Sequence, residues 1–398
     1  MSEHMTSTDA SVADWDVVIV GGGLSGLSLA VELAQPGYAH LRVLVLEKRS
    51  EYLRDRTWSY WSDGVMRPHR YTALERKRWT SWRVSFQGQH AVQQAAQSSN
   101  LAYCTMDADA FYAFAQAQIR SVSHVRLQMG MAVSDIHDGP VQTVFLADGT
   151  RVRSIWVMDG RPLSRPKAHS LCQHFMGWEI ETPADCFDDR TVELMDFQPA
   201  TKGLHFLYVL PYGPRQALVE STWMSPYAHQ PDYEVELQAY LQNRYGLTAY
   251  KRVYQEQGCL DLQATPRSYP VTDGTCKRVS LGRAAGTLRS STGFAFLETI
   301  LEARRIALCF ANVPLAAVRV PPYRRDWLDM WMDKIFCDGL VADWPRAPEF
   351  FLAMFKGVAS STLVAFLTGR PTLLQRLQVS LQLPKWHFLR AARRVLAG

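Results

Sequence analysis

Asp16-Val-Val-Ile-Val-Gly-Gly-Gly-Leu-Ser-Gly26 is a short apolar run that empties directly into glycines. Four uninterrupted apolar residues suit a strand buried on both faces of a parallel sheet. Gly21, Gly23 and Gly26 then satisfy G-x-G-x-x-G. The first glycine allows the tight turn into a helix, and the second lets a pyrophosphate approach the backbone at the helix N-terminus. The third lets helix and strand pack closely. Leu27 to Ala34 reads as that helix, ending near Pro36-Gly37, and Arg42-Val-Leu-Val-Leu-Glu47 as the second strand. Glu47 lies 21 residues past Gly26, at the strand end where an acid accepts hydrogen bonds from ribose hydroxyls. The unit predicts dinucleotide binding without separating FAD from NAD.

Working outward, the 398 residues are 47% hydrophobic and 20% charged, which excludes a disordered or collagen-like chain and leaves room for two domains. The longest apolar stretches, Ile306 to Val318 and Gly357 to Gly369, are too short to span a bilayer. Met1 to Asp14 carries acids and no apolar core, so it does not read as a secretory signal. Seven cysteines without a C-x-x-C pair or metal-like spacing suit reduced thiols in a cytoplasmic protein. A helix is expected from Asp107, as N-cap, to Ile119. Hairpins are expected around Asp148-Gly149, joining Val141–Leu146 to Arg151–Met158, and around Pro211-Tyr-Gly-Pro214, joining His205–Leu210 to Gln216–Thr222. Thr292 to Ala307 reads as a helix, and everything beyond Pro321-Pro322 as helical. The expected fold is therefore α/β, with two interleaved domains. A nucleotide-binding domain takes 14–80, 101–165 and 273–320; a β-rich substrate domain takes 81–100 and 166–272. A helical, basic, membrane-facing region closes the chain at 321–398.

Two later motifs bear on the cofactor. Val157-Met-Asp159-Gly160-Arg161-Pro162 and Leu281-Gly-Arg-Ala-Ala-Gly286, the latter followed by Ser290-Ser-Thr-Gly293, resemble the second and third nucleotide-contacting motifs of the hydroxylase-like flavoprotein superfamily. The resemblance implies a Rossmann-type FAD-binding domain with Asp159, Gly160, Gly282, Gly286, Thr292 and Gly293 at the cofactor. It departs at Arg283, where the superfamily carries the acid that holds the ribityl chain.

A further set narrows the family. Arg56-Thr-Trp-Ser-Tyr-Trp61, Met195-Asp196-Phe197, Phe206-Leu-Tyr-Val-Leu-Pro211, Ala217-Leu-Val-Glu-Ser-Thr222, Ser290-Ser-Thr-Gly-Phe-Ala-Phe296 and Met332-Asp-Lys-Ile-Phe336 occur in that order. Together they resemble the bacterial lycopene beta-cyclases from Asp16 to about Leu383. The resemblance implies closure of β-ionone rings on lycopene or another ψ-ended carotenoid, giving γ-carotene and β-carotene. It also implies reduced FAD that stabilises a carbocation without net redox, NAD(P)H that only keeps the flavin reduced, and Glu220 as catalytic acid. Read from its own residues, Glu220 shares a strand face with Leu218 and Thr222, and burial there would keep it protonated near neutrality. A solvent-facing or Arg-paired glutamate is the other reading. Asp196 either orients Glu220 or accepts the departing proton, or is a strand-end turn residue. Arg56 either contacts flavin or phosphate, or pairs with Asp55. Trp58, Tyr60 and Trp61, with Tyr208 and Phe294 behind them, are candidates for cation–π stabilisation, with core packing as the alternative for each. A flavin hydroxylase, a prenyl or carotenoid reductase, and a non-catalytic carotenoid-binding flavoprotein remain open on the same frame. So do ring position, the number of ends closed, NADH against NADPH, and the oligomer.

Charge points to a surface. The chain is net +5, yet residues 351–398 hold seven cations and no acid, which leaves −2 for the rest. Lys385-Trp-His-Phe-Leu-Arg-Ala-Ala-Arg-Arg-Val-Leu396 mixes Trp386, Phe388, Leu389, Val395 and Leu396 with four cations. Such a segment suits the headgroup region of an anionic membrane, with Phe351, Leu352 and Phe355 continuing the surface. A basic helix docked on the acidic body is the other reading. Nucleic acid is not expected, because no stacking platform or recognised fold accompanies the charge.

Overall fold

The computed structural model describes residues 13–62, 70–97, 99–269 and 277–397. β1 (Trp15–Val20) passes through the glycine turn into α1 (Leu24–Leu33), and β2 (Val43–Leu46) returns parallel to β1. Val17 to Val20 are buried throughout, as a strand covered on both faces requires. β3 (Thr57–Ser62), β4 (Lys77–Trp79), β5 (Ser81–Phe86), β6 (Gln89–Gln94) and β7 (Ala102–Asp107) follow, then α2 (Ala108–Arg120). β8 (Val125–Gln128), β9 (Val133–His137), β10 (Gln142–Leu146) and β11 (Arg151–Asp159) complete a first sheet ordered β8-β2-β1-β11-β10-β9. Only its β9-β10-β11 meander is antiparallel.

β12 (Leu171–Glu181), β13 (Thr191–Gln198), β14 (Leu204–Gly213), β15 (Gln216–Pro226), α3 (Tyr233–Tyr245) and β16 (Lys251–Asp261) come next. Their strands join β5 and β6 in a second sheet ordered β16-β12-β15-β14-β13-β5-β6. β17 (Arg278–Ser280) goes back to the first sheet, parallel to β11. A small sheet, β3-β7-β4, makes a third. α4 (Phe296–Cys309) packs on α1, and α5 (Trp327–Ala342), α6 (Ala347–Gly357), α7 (Ser360–Leu367), α8 (Leu373–Ser380) and α9 (Lys385–Ala397) finish the chain. Among the described residues no helix is long and apolar enough to cross a membrane.

Several expectations are corrected. Asp107 stands at the N-cap of α2 but makes no capping bond, because Arg54 and Arg76 draw its carboxylate away at 3.1 and 3.2 Å. α4 begins at Phe296 and not at Thr292, since Gly293 holds a turn at φ +72°. β14 continues through Pro211 to Gly213, aided by a bulge, so the hairpin turns at Pro214-Arg215. Phe351, Leu352 and Phe355 lie inside, where α6 covers β5 and β6, and form no part of an outer surface.

Candidate active site

The glycine turn meets the other two nucleotide motifs in space. A Cβ on Gly26 would lie 1.9 Å from the Gly21 carbonyl oxygen, and Gly21 itself has φ +97°. Gly282 (φ +59°) abuts Ser25, and Gly160 abuts the Val20 carbonyl. Gly23, by contrast, faces open space at the start of α1. Glu47 is buried, accepting from Gly22 N–H at 2.6 Å and from the Arg49 backbone and guanidinium. Arg49 also lies over the rings of Tyr52 and Tyr112. It belongs to this corner although no pattern in the sequence singled it out. Gly286 (φ +100°) and Thr292-Gly293 carry the third motif towards the second sheet, where a Cβ on Gly293 would strike Gln173 and Leu260. Asp333 of α5 anchors that loop by buried bonds to Arg289 and Ser291.

Asp159 is fully buried and paired with Arg161, Arg267 and Arg278. Burial pushes its carboxyl up, and the bonds from Arg161 and Tyr269 outweigh that and hold it down at about 2. Gly160 beside it faces the glycine turn. Arg56 pairs with Asp55 at 3.1 Å. Arg56 and Arg283 are solvent-accessible yet walled by protein, and this desolvation, with Arg56 beside it, lowers the Arg283 pKa. The two guanidinium groups stand close enough for the charge of one to act on the other.

Glu220 sits on β15, in the middle of the second sheet. Strand alternation sends Ser221 and Trp223 towards Glu236 of α3 and leaves Glu220 and Thr222 on the opposite face. There Tyr208, directly across on β14, donates its hydroxyl to Ser59 of β3 or Tyr103 of β7, each at 2.9 Å. Glu220 is 8% exposed, its Oε1 accepts from the Thr222 hydroxyl at 2.5 Å, and no cation pairs with it among the described residues. Burial first, and the charge of Glu256 second, push it up to about 8.

Glu256 was invisible in the sequence. Gly177 of β12 pairs with Glu220 on one side and with Glu256 of β16 on the other, so both carboxyls flank one bare backbone position on one face. Glu256 accepts from Thr57 N–H at 2.6 Å and from the Tyr254 hydroxyl at 3.0 Å, and Arg54 lies over the Tyr254 ring. Burial raises it to about 7 against those donors. Nothing local in Tyr254-Gln-Glu-Gln-Gly258 marks it; only the strand pairing does.

The structure does not bring Asp196 to Glu220. Asp196 pairs with Leu207 beyond a bulge, which places it on the α3 side, where its carboxylate accepts from Tyr240 at 2.9 Å. The aromatic triplet on β3 also divides. Trp61 meets Trp82 and Tyr103 edge-on, on the Tyr208 side. Trp58 and Tyr60 turn into the nucleotide-side core against Phe296, with Trp58 also touching Phe111. Phe294 lies 6.3 Å from Tyr103. A cavity of about 250 Å³ borders this cluster, walled by Trp61, Phe294, Phe296, Tyr323, Leu367 and Arg370; Glu220 is not in its wall.

A mostly parallel first sheet followed by a strand-rich second sheet is a fold this chain shares with solved reductase-like and hydroxylase structures. A geranylgeranyl bacteriochlorophyll reductase-like protein of Thermoplasma acidophilum superposes with a TM-score of 0.60 at 14% identity, covering 95% of each chain. Aklavinone-11 hydroxylase, in a ternary complex with FAD and aklavinone, superposes with a TM-score of 0.54 at 17% identity over 87% of this chain and 69% of its own. Residues 16–393 match the family described as "Lycopene cyclase protein", and the chain belongs to that family. A lycopene beta-cyclase of Paracoccus sp. (strain N81106 / MBIC 01143) is 32% identical over 220 residues, 52% of this chain. The match spans half the length of that curated relative.

Proposed function

We propose that this protein is a lycopene cyclase, an isomerase that turns lycopene into γ-carotene and β-carotene by acid-initiated, redox-neutral ring closure. The observation that carries this reading is a buried glutamate, Glu220, beside aromatic rings and with no cation partner among the described residues. A bare alkene can be protonated only by an acid that stays neutral until substrate arrives, and burial provides that state. Glu220 gives its proton to the terminal double bond of the acyclic end group, leaving a tertiary cation. The next suitably placed double bond attacks it, the six-membered ring closes, and loss of one proton from a ring carbon yields the β end group. Proton count and oxidation state are unchanged. Tyr208, Tyr103, Trp61 and Phe294 gather apolar ring surface that excludes water, and a ring face turned to the cation attracts it.

The glycine turn, the neighbouring Arg56 and Arg283 and the open space at Gly23 suit FAD: Gly21 to Gly26 would hold the pyrophosphate, Glu47 and Arg49 the adenosine end, and Arg56, Arg283 and Thr292-Gly293 the flavin end. Reduced FAD held there would supply negative charge that favours the cation, with NAD(P)H serving only to keep it reduced. The carotenoid reaches the site from a membrane surface. The C-terminal helices meet that surface as a peripheral contact, near the cavity corner at Leu367 and Arg370.

The test uses purified protein, lycopene-loaded liposomes and dithionite-reduced FAD without oxygen, in deuterated buffer. The expected product is cyclic, carries solvent deuterium, and forms without flavin oxidation. A product heavier by two hydrogens with oxidised flavin would replace the cyclase reading with that of a reductase.

A further inference from the structure

We propose that Glu256 is a positioning residue for Glu220: facing it across Gly177, it carries the negative charge of a carboxyl pair that shares one proton, and so keeps Glu220 neutral. The inference rests on the reading of Glu220 as the acid. Its foundation is the register. β15 and β16 are both neighbours of β12, so the two glutamate backbones stand about 10 Å apart, and the side chains lean over a residue with no side chain. A Cβ on Gly177 would already touch Glu220 Cγ at 3.5 Å.

The groups around Glu220 come from several elements, and α3 contributes Tyr233, which bonds to His174 and feels the Glu220 charge. β14 contributes Tyr208, and β7 contributes Tyr103 behind it. β15 contributes Thr222. β12 contributes Glu179, which Arg54 and Arg76 hold in ion pairs. β16 contributes Tyr254 and Glu256. Glu256 is therefore the acid on this face that lacks an ion pair of its own among the described residues. Two carboxyls in one water-poor place do not both ionise near neutrality. The donors decide which keeps the proton. Glu256 has a peptide N–H and a phenol, with Arg54 close by; Glu220 has one hydroxyl. Charge settles on Glu256 and the proton on Glu220. Donation to the alkene leaves the pair doubly anionic, the strongest base on that face. It takes back the one proton released at ring closure, so the cycle balances.

The experiment titrates the neutral-carboxyl infrared band of the FAD-loaded protein without substrate, using the difference between wild type and Glu220→Gln to isolate Glu220. Glu256→Gln keeps an acceptor for Thr57 and Tyr254 but removes the charge. It is expected to lower the Glu220 titration point, and the alkaline limb of the pH–rate profile, by about one unit. Glu256→Asp, which keeps the charge, is expected to stay near wild type in both. An unchanged Glu220 titration in Glu256→Gln overturns the proposal, and so does an equal loss of rate at all pH values. A Glu220 already ionised at neutral pH in wild type overturns the acid reading itself. The band is read without turnover, so the two failures are distinguishable.

Discussion

Glu220 is a carboxyl that the fold buries at a cost in stability. Its carboxyl is raised from the ordinary 4.5 to about 8, chiefly by burial. Below pH 4.5 it is neutral in both folded and unfolded chains and has no pH-dependent effect. Between 4.5 and 8 the unfolded chain releases the proton and the folded one does not, so stability falls as pH rises through that window. Glu220→Gln is neutral throughout. Its Tm should match wild type near pH 4 and exceed it by roughly 2 °C or more at pH 8, while cyclisation is lost at every pH. A variant that is less stable than wild type at pH 8 would show that the carboxylate is paired. Glu220 was legible because its neighbours spell a family motif and its strand alternates cleanly. Asp196 was not, because a bulge between Glu193 and Asp196 sets its face, and bulges leave no mark in composition. The Asp-Gly at Asp159 could be read because it is local; the arginines paired with it could not, since Arg267 and Arg278 lie more than a hundred residues on.

The β1-α1-β2 unit could be read directly because its glycines, helix and acid lie within one short stretch and act on one another. β3 could not. Trp58, Tyr60 and Trp61 look alike in sequence, and only the pairing of Trp61 with Tyr103 and of Trp58 with Met106 fixes which side each faces. Their consequences should separate. Trp61→Leu removes a ring from the Tyr208 side and is expected to lower turnover about tenfold with FAD content intact. Trp58→Leu opens a gap against Phe111 and Phe296 and is expected to lower Tm and FAD retention, with turnover per bound flavin nearly unchanged. Flavin content, melting and turnover of the two proteins, measured side by side, decide the matter, and the reverse pattern would reassign the cation-facing ring to Trp58.

The acid-free C-terminus proves less cationic towards solvent than its composition suggests. Arg370, Arg376 and Arg394 are paired with Glu298, Asp329 and Asp338, so that part of the charge holds helices to the body. Phe388 stacks on Phe336, and His387 reaches the Gly339 carbonyl, so α9 is docked by one face. Its other face is not covered: Trp386 is 78% exposed and Leu396 71%, with Leu389 between them, and Lys385, Arg390 and Arg393 have no acidic partner among the described residues. α8 adds Leu373, Leu374 and Leu377, and its C-cap Leu381 follows, all exposed and close in sequence to the cavity corner at Arg370. The two readings of the tail thus describe opposite sides of one helix. An apolar face rimmed by unpaired cations fits the headgroup layer of an anionic bilayer. Replacing Leu373, Leu374 and Leu377 by Ser should leave melting unchanged and abolish co-sedimentation with anionic liposomes. Changing Arg390 and Arg393 to Gln should weaken binding to anionic vesicles, flatten its salt dependence, and spare what binding there is to neutral ones. The leucine variant should still cyclise lycopene presented in detergent, since Glu220 and its ring cluster are untouched. If it binds vesicles as wild type does, substrate is drawn from some other face of the protein.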